Sequence, residues 1–159
     1  MRIKVKLNDI ITGMEFQTDE MSSYLNKETG EVSTVMEQEF RVVEEDDDSL
    51  ISLYGLEEDG IEKARDILMD DEGIKYISLP SKFEIHEWEI MKQFCLSVDD
   101  KDISESLMNA IHGKGAFRYF KNSIRRYGME DQWYKFRDAA IKRIAIEWCE
   151  TNNIEYIEK

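Results

Sequence analysis

SSYLNKETGEVSTVM, residues 22–36, decides between an all-helical chain and a mixed one. Two β-prone runs flank Asn26-Lys27-Glu28-Thr29-Gly30. Gly30 has no Cβ and can supply the positive φ that a longer hairpin loop needs, so the stretch reads as an antiparallel hairpin.

Working outward toward the N-terminus, Ile3, Val5 and Leu7 alternate with Lys4 and Lys6, which predicts a strand. Asn8 or Asp9 then caps a short helix carrying Ile10, Ile11 and Met14. On the other side of the hairpin, EFRVV at 39–43 reads as a second extended piece. EEDDD at 44–48 follows, and it lacks the alternating oxygen ligands, central glycine and closing glutamate of a calcium-binding EF-hand loop. It is expected to be a solvated surface loop. Residues 57–70 place Ile61, Ala64 and Leu68 at helical spacing, with acidic residues in the first turn. GIKYISLPSKF at 73–83 reads as a short strand and a turn at Pro80, the only proline.

From Glu84 to about residue 151 the pattern is helical. Trp88, Met91 and Cys95 share one face of a first helix, and Ile103, Leu107 and Ile111 a face of the second. Gly113 and Gly115 interrupt the pattern. A third helix carries Phe117, Phe120, Ile124 and Tyr127 and stops at Gly128. The fourth, 129–151, holds Trp133, Phe136, Ala140, Ile144 and Trp148, with Tyr134, Ile141 and Ala145 alongside, a stripe wide enough to be buried on more than one side. The expected architecture is α+β. A small antiparallel sheet in residues 1–82 packs with a helical half of about four helices in 83–151, within one domain and one core.

Bulk properties narrow the function. The 159 residues, 42% hydrophobic and 35% charged, suit a globular domain. No apolar run approaches the roughly 18–20 residues of a membrane span, and the N-terminus lacks a signal-peptide core, so a cytoplasmic location is expected. Cys95 and Cys149 form no CxxC and are expected to be buried, reduced thiols. A net charge of −14 opposes attraction to nucleic acid or anionic membranes. The charge is uneven, however. Residues 113–147 carry nine Lys/Arg against four Asp/Glu, and the rest carries 12 against 31.

Catalytic signatures are sparse. Only His86 and His112 could serve as imidazole bases, and no GxSxG elbow exists. HEWEI at 86–90 begins like the zinc motif HExxH, but Ile90 stands where the second histidine must be. His86 is expected to start a helix. No catalytic residue, metal site or cofactor is therefore assigned, although two or three carboxylates could still gather a Mg²⁺ ion.

IHGKGAFRYFKN, residues 111–122, is the best candidate site. It is neither GxxxxGK[ST] nor GxGxxG, since Arg118 replaces the third glycine. Even so, Gly113 and Gly115 would leave backbone N–H groups open at a helix start, where the helix dipole favours an anion. Lys114 sits in that turn. Arg118, Lys121 and Arg125 follow at 3–4 spacing on one face, with Arg126 and Arg137 as neighbours. The plainer alternative makes Phe117, Phe120, Ile124 and Tyr127 core, the cations a wet face, and the glycines a corner.

Four separated stretches, MSSYLNKETGEV (21–32), LPSKFEIHEWEIMKQFC (79–95), GKGAFRYFKNSIRRYG (113–128) and WYKFRDAAIKRIAIEWCE (133–150), resemble the bacterial uncharacterised protein family 0158. The family's recurrent features fall here on Tyr24, Leu25, Thr29 and Gly30. In the helical half they fall on Gly113, Gly115, Phe117, Arg118, Phe120, Lys121, Trp133, Tyr134, Phe136, Arg137 and Trp148. The resemblance implies a fold and no activity or cofactor. The leading expectation is a non-enzymatic domain that binds another protein. A phosphate- or nucleotide-binding protein using 113–125 is the alternative, and a carboxylate/Mg²⁺ hydrolase is a third. Membrane and nucleic acid are not expected partners.

Overall fold

The computed structural model describes residues 3–70 and 72–158, all but the side chain of Phe83. The fold is α+β, with a small antiparallel sheet early in the chain and a succession of helices after it.

The hairpin forms where the sequence predicts it. Strands β2 (Met21–Asn26) and β3 (Val32–Met36) pair antiparallel with Leu25 opposite Val32 and Met21 opposite Met36. Asn26 closes the turn from inside. Its Oδ1 accepts from the N–H groups of Glu28 (2.9 Å) and Thr29 (3.3 Å), while Gly30, at φ +79°, donates to the Asn26 carbonyl. The segment after Pro-flanked Leu79 was expected to turn, and β4 (Tyr76–Ser78) does end there, having paired antiparallel along the other side of β2. Asp70 fixes the approach to β4. Its carboxylate accepts from the backbone N–H groups of Tyr76, Lys75 and Ile74, and the Tyr76 bond above all holds its pKa below the ordinary carboxylate value.

The strand order is β3-β2-β4. Antiparallel partners alternate between residues that exchange hydrogen bonds and residues that do not. The bonds Asn26 N–H to Glu31 and Glu37 N–H to Glu20 fix the β2–β3 phase. Lys27 N–H to Lys75 and Leu79 N–H to Ser23 fix the β2–β4 phase. β2 therefore uses its even-numbered residues toward β3 and its odd-numbered ones toward β4. By the same phase, the backbone groups of Val32 and Thr34 point away from β2, along the sheet edge.

Helix α1 (Leu7–Phe16) lies on one face of this sheet, where the Ser23 hydroxyl donates to the Gly13 carbonyl at 2.8 Å. It starts at Leu7 behind Lys6, earlier than the expected Asn8 or Asp9 cap. Leu7 is buried, so packing sets the boundary and Asp9 becomes a first-turn acid. On the other face, Tyr24 meets Phe40 of α2 (Glu37–Glu45) edge to face at 6.0 Å.

The α2 helix corrects the expected extended piece at EFRVV. Phe40, Val42 and Val43 favour strands locally, but burial of Glu39 and Val42 on one helical face wins. The Glu39 carboxylate accepts from the Met36 N–H at 2.8 Å and nestles where Gly60 of α4 (Glu58–Met69) leaves room. Between them, Glu44 and Glu45 of the expected acidic loop belong to α2, leaving exposed residues 46–48 as the loop, and α3 (Ser49–Tyr54) buries no residue fully. Strand β1 (Lys4–Lys6) pairs in parallel with β5 (Glu155–Ile157), and the sequence reading had no β5.

Cα packing separates two compact units. The first runs to Glu84 and resumes at Ala145, and the second is Ile85–Ile144. The second unit comprises the end of α5 (Lys82–Ile85), α6 (Glu87–Ser97), α7 (Lys101–Ala110), α8 (Ala116–Arg126) and the first part of α9 (Glu130–Thr151). Its core is aromatic. Phe94 meets Phe120, Trp133 and Phe136 edge-on, and Phe120 stands 4.8 Å from Trp133.

Candidate functional site

The stretch singled out in the sequence spans the α7–α8 turn and the outer face of α8. Gly113 and Gly115 adopt φ of +100° and +76°, which a β-carbon disfavours, and Gly115 occupies the N-cap of α8. Gly115 therefore brings no side chain to the first-turn N–H groups. The turn is braced from behind. The Trp88 indole N–H donates to the Ile111 carbonyl at 2.9 Å, and the Trp88 and His112 rings meet edge to face. His112 Nδ1 lies 2.6 Å from the Met108 carbonyl. Sequence reading placed Trp88 on a core face. It is 39% exposed and acts as a strut, a role that no spacing rule exposes.

Lys114 is exposed in the turn, and Arg118, Lys121 and Arg125 are exposed on α8. The Arg118 guanidinium lies over the Tyr119 ring at 5.3 Å from its centroid, and Arg125 Nε stands 4.0 Å from Glu130 Oε1. Both contacts are at the surface, where they hold the side chains only weakly. Arg137 does not join this face. It grips Glu87 with Nη2 at 2.5 Å from Oε1 and Nε at 3.3 Å from Oε2, tying α9 to α6.

One expected core residue is not core. α8 buries Phe120, Ser123 and Ile124, while Phe117 is 52% exposed. The buried set follows i, i+3, i+4 from Phe120, so Ser123 belongs to the inner face and Phe117 flanks it. Tyr119 is also exposed, and on α9 Tyr134 is 55% exposed. Phe117, which the core alternative buries, is therefore exposed on the same helix as the cations, and Arg118 lies over Tyr119.

Elsewhere the chemistry is quiet. Cys95 and Cys149 are free and buried, and burial raises both thiols to about 11, so they stay protonated at neutral pH. His86, exposed at φ +50°, is the N-cap of α6. Among the described residues no three His, Cys, Asp or Glu side chains gather to hold a metal, and no helix is long and apolar enough to cross a membrane.

A family model described as "Uncharacterised protein family (UPF0158)" matches residues 2–159. This agrees with the resemblance carried by the four stretches. A UPF0158 protein of Pseudomonas aeruginosa is 23% identical over 91 residues, which is 57% of this chain and 60% of that relative. No solved structure matches.

Proposed function

Since the chain belongs to the UPF0158 family, whose description carries no activity, we propose from its own surface that it works by binding an acidic protein partner through α8. The observation that supports this is the outer face of α8, where exposed Phe117 and Tyr119 stand with Arg118, Lys121 and Arg125. Aromatic rings and arginines dominate the energetics of protein interfaces, because they bury large area at low entropic cost and pair with carboxylates. A merely wet face has no use for two large rings half out of the core.

Crosslinking the intact protein in a bacterial lysate, followed by capture at low and high salt, tests the reading. A partner should be retained at low salt and lost as salt rises. The triple variant Arg118→Glu/Lys121→Glu/Arg125→Glu should lower capture at least tenfold while melting within about 6 °C of the parent, since exposed substitutions cost about 0.5 kcal/mol or less each and a kcal/mol is worth about 2–4 °C at this size. Repeated capture of nothing counts against the reading. So does a partner held equally by the triple variant.

A second reading is favoured by Gly115 at the N-cap of α8, which leaves the first-turn N–H groups without a side-chain acceptor beside Lys114. There a phosphate-bearing ligand would bind. Thermal shift with inorganic phosphate, nucleotides and polyphosphate distinguishes the two. A ligand at 100 times its Kd adds about 2.7 kcal/mol of stability, and Lys114→Ala should erase that gain.

A further inference from the structure

The edge of the sheet at β3 carries features that the α8 reading leaves unused. The backbone N–H and C=O groups of Val32 and Thr34 face outward, away from β2, and no strand of the described residues lies beyond them. Helix α1 runs beside this edge and turns it into a groove of about 390 Å³, with Asp9, Thr12 and Phe16 on the helical wall and Glu31, Val32 and Thr34 on the strand. The groove's inner limit is tight. A Cβ on Gly13 would lie 2.7 Å from the Val32 side chain, so helix and strand meet there and diverge outward. Phe16, 59% exposed, forms an apolar shelf at the end of α1.

Exposed edges are ordinarily blunted by lysine, proline, a bulge or a covering element. Val-Ser-Thr-Val-Met in β3 has neither lysine nor proline. Its far end alone is closed, because the Glu39 carboxylate takes the Met36 N–H. We propose that this groove receives an extended segment of a partner protein, which adds to the sheet as a fourth strand beside β3 and carries Lys or Arg side chains toward Asp9 and Glu31. Main-chain bonds to Val32 and Thr34 give the attachment, and the helical wall selects side chains, as in other modes of strand addition. Charge chooses the occupant. A second copy pairing antiparallel through Val32 and Thr34 would set Glu31 opposite Val35 and bring no cation from its own β3 to Asp9 or Glu31. The −14 net charge of each copy also opposes self-association. A basic, apolar-alternating strand meets neither obstacle.

The test uses the full chain, ¹⁵N-labelled, with a ten-residue peptide alternating lysine and valine, and with its glutamate–valine counterpart. The lysine peptide should slow amide exchange at Val32 and Thr34 at least tenfold, and the glutamate peptide should leave both unchanged. Thr34→Pro removes an N–H that β2 does not use and should weaken binding at least tenfold. Phe16→Ala and Asp9→Lys, both at exposed positions, should each weaken it severalfold at an unchanged melting temperature, and they decide the matter if the proline variant misfolds. The proposal fails if neither amide is protected, if both peptides protect Val32 and Thr34 alike, or if protection appears without peptide and grows with protein concentration.

Discussion

The turns at Asn26–Gly30 and at His112–Gly115 use the same device, glycine at positive φ, and leave their polar groups in opposite conditions. In the hairpin every backbone N–H from Asn26 to Glu31 has a partner. Asn26 is buried and accepts two N–H groups, Gly30 donates back to it, and a Cβ on Gly30 would lie 3.0 Å from the Ile3 side chain. In the α7–α8 turn, a Cβ on Gly113 would meet nothing within 4 Å, and the exposed cations of α8 begin directly after it. A turn that closes a ladder finds its partners next door, whereas a turn that starts a helix leaves N–H groups pointing forward. Glycine by itself does not mark function. What surrounds the glycine does.

Three measurements test this contrast, the costliest substitution first. Asn26→Ala strands two backbone donors in a part-buried turn and should cost about 2 kcal/mol in denaturant unfolding. A cost near zero would mean that water replaces the side chain, and the two turns would then be equivalent. Gly30→Ala combines an unfavourable φ with a tight contact and should cost about 1–2 kcal/mol, while Gly113→Ala meets backbone strain alone and should cost about 1 kcal/mol. Equal costs would remove packing from the comparison. The smallest effect is acid sensitivity beside the hairpin. Asp70 titrates below the ordinary carboxylate value, so its contribution is whole above that value and fades as pH falls through the depressed one. Asp70→Asn should flatten the acid limb of the stability profile and leave the neutral region lower and level. An unchanged acid limb would remove Asp70 from the account of β4.

Much of the architecture was readable because local and global preferences agree there. Gly30 and the alternating runs define the hairpin, Ile61 and Ala64 define α4, and the glycines at 113, 115 and 128 punctuate the later helices. Reading failed where packing overruled propensity. EFRVV is β-prone residue by residue, and it is helical because Glu39 and Val42 share a face and Gly60 admits the Glu39 carboxylate. The seven-residue spacing that made Phe117 core differs from the true inner face by one residue position, enough to turn a large ring into solvent. The groove between α1 and β3 left almost no trace in the sequence. Which residues of a strand bond outward depends on register, and register is fixed by a turn and a partner strand together.

The parallel pair β1–β5 has a kinetic consequence. Lys4 stands opposite Glu155, so this ladder cannot form on a growing chain until residue 155 has been synthesised. Residues 85–144 contain contacts between neighbouring helices and can settle early, whereas β1 must wait for β5 across the longest loop closure in the fold. During that interval β1 is an unpaired edge, and its alternating lysines, Lys4 and Lys6, are the residues that discourage it from pairing with the wrong strand.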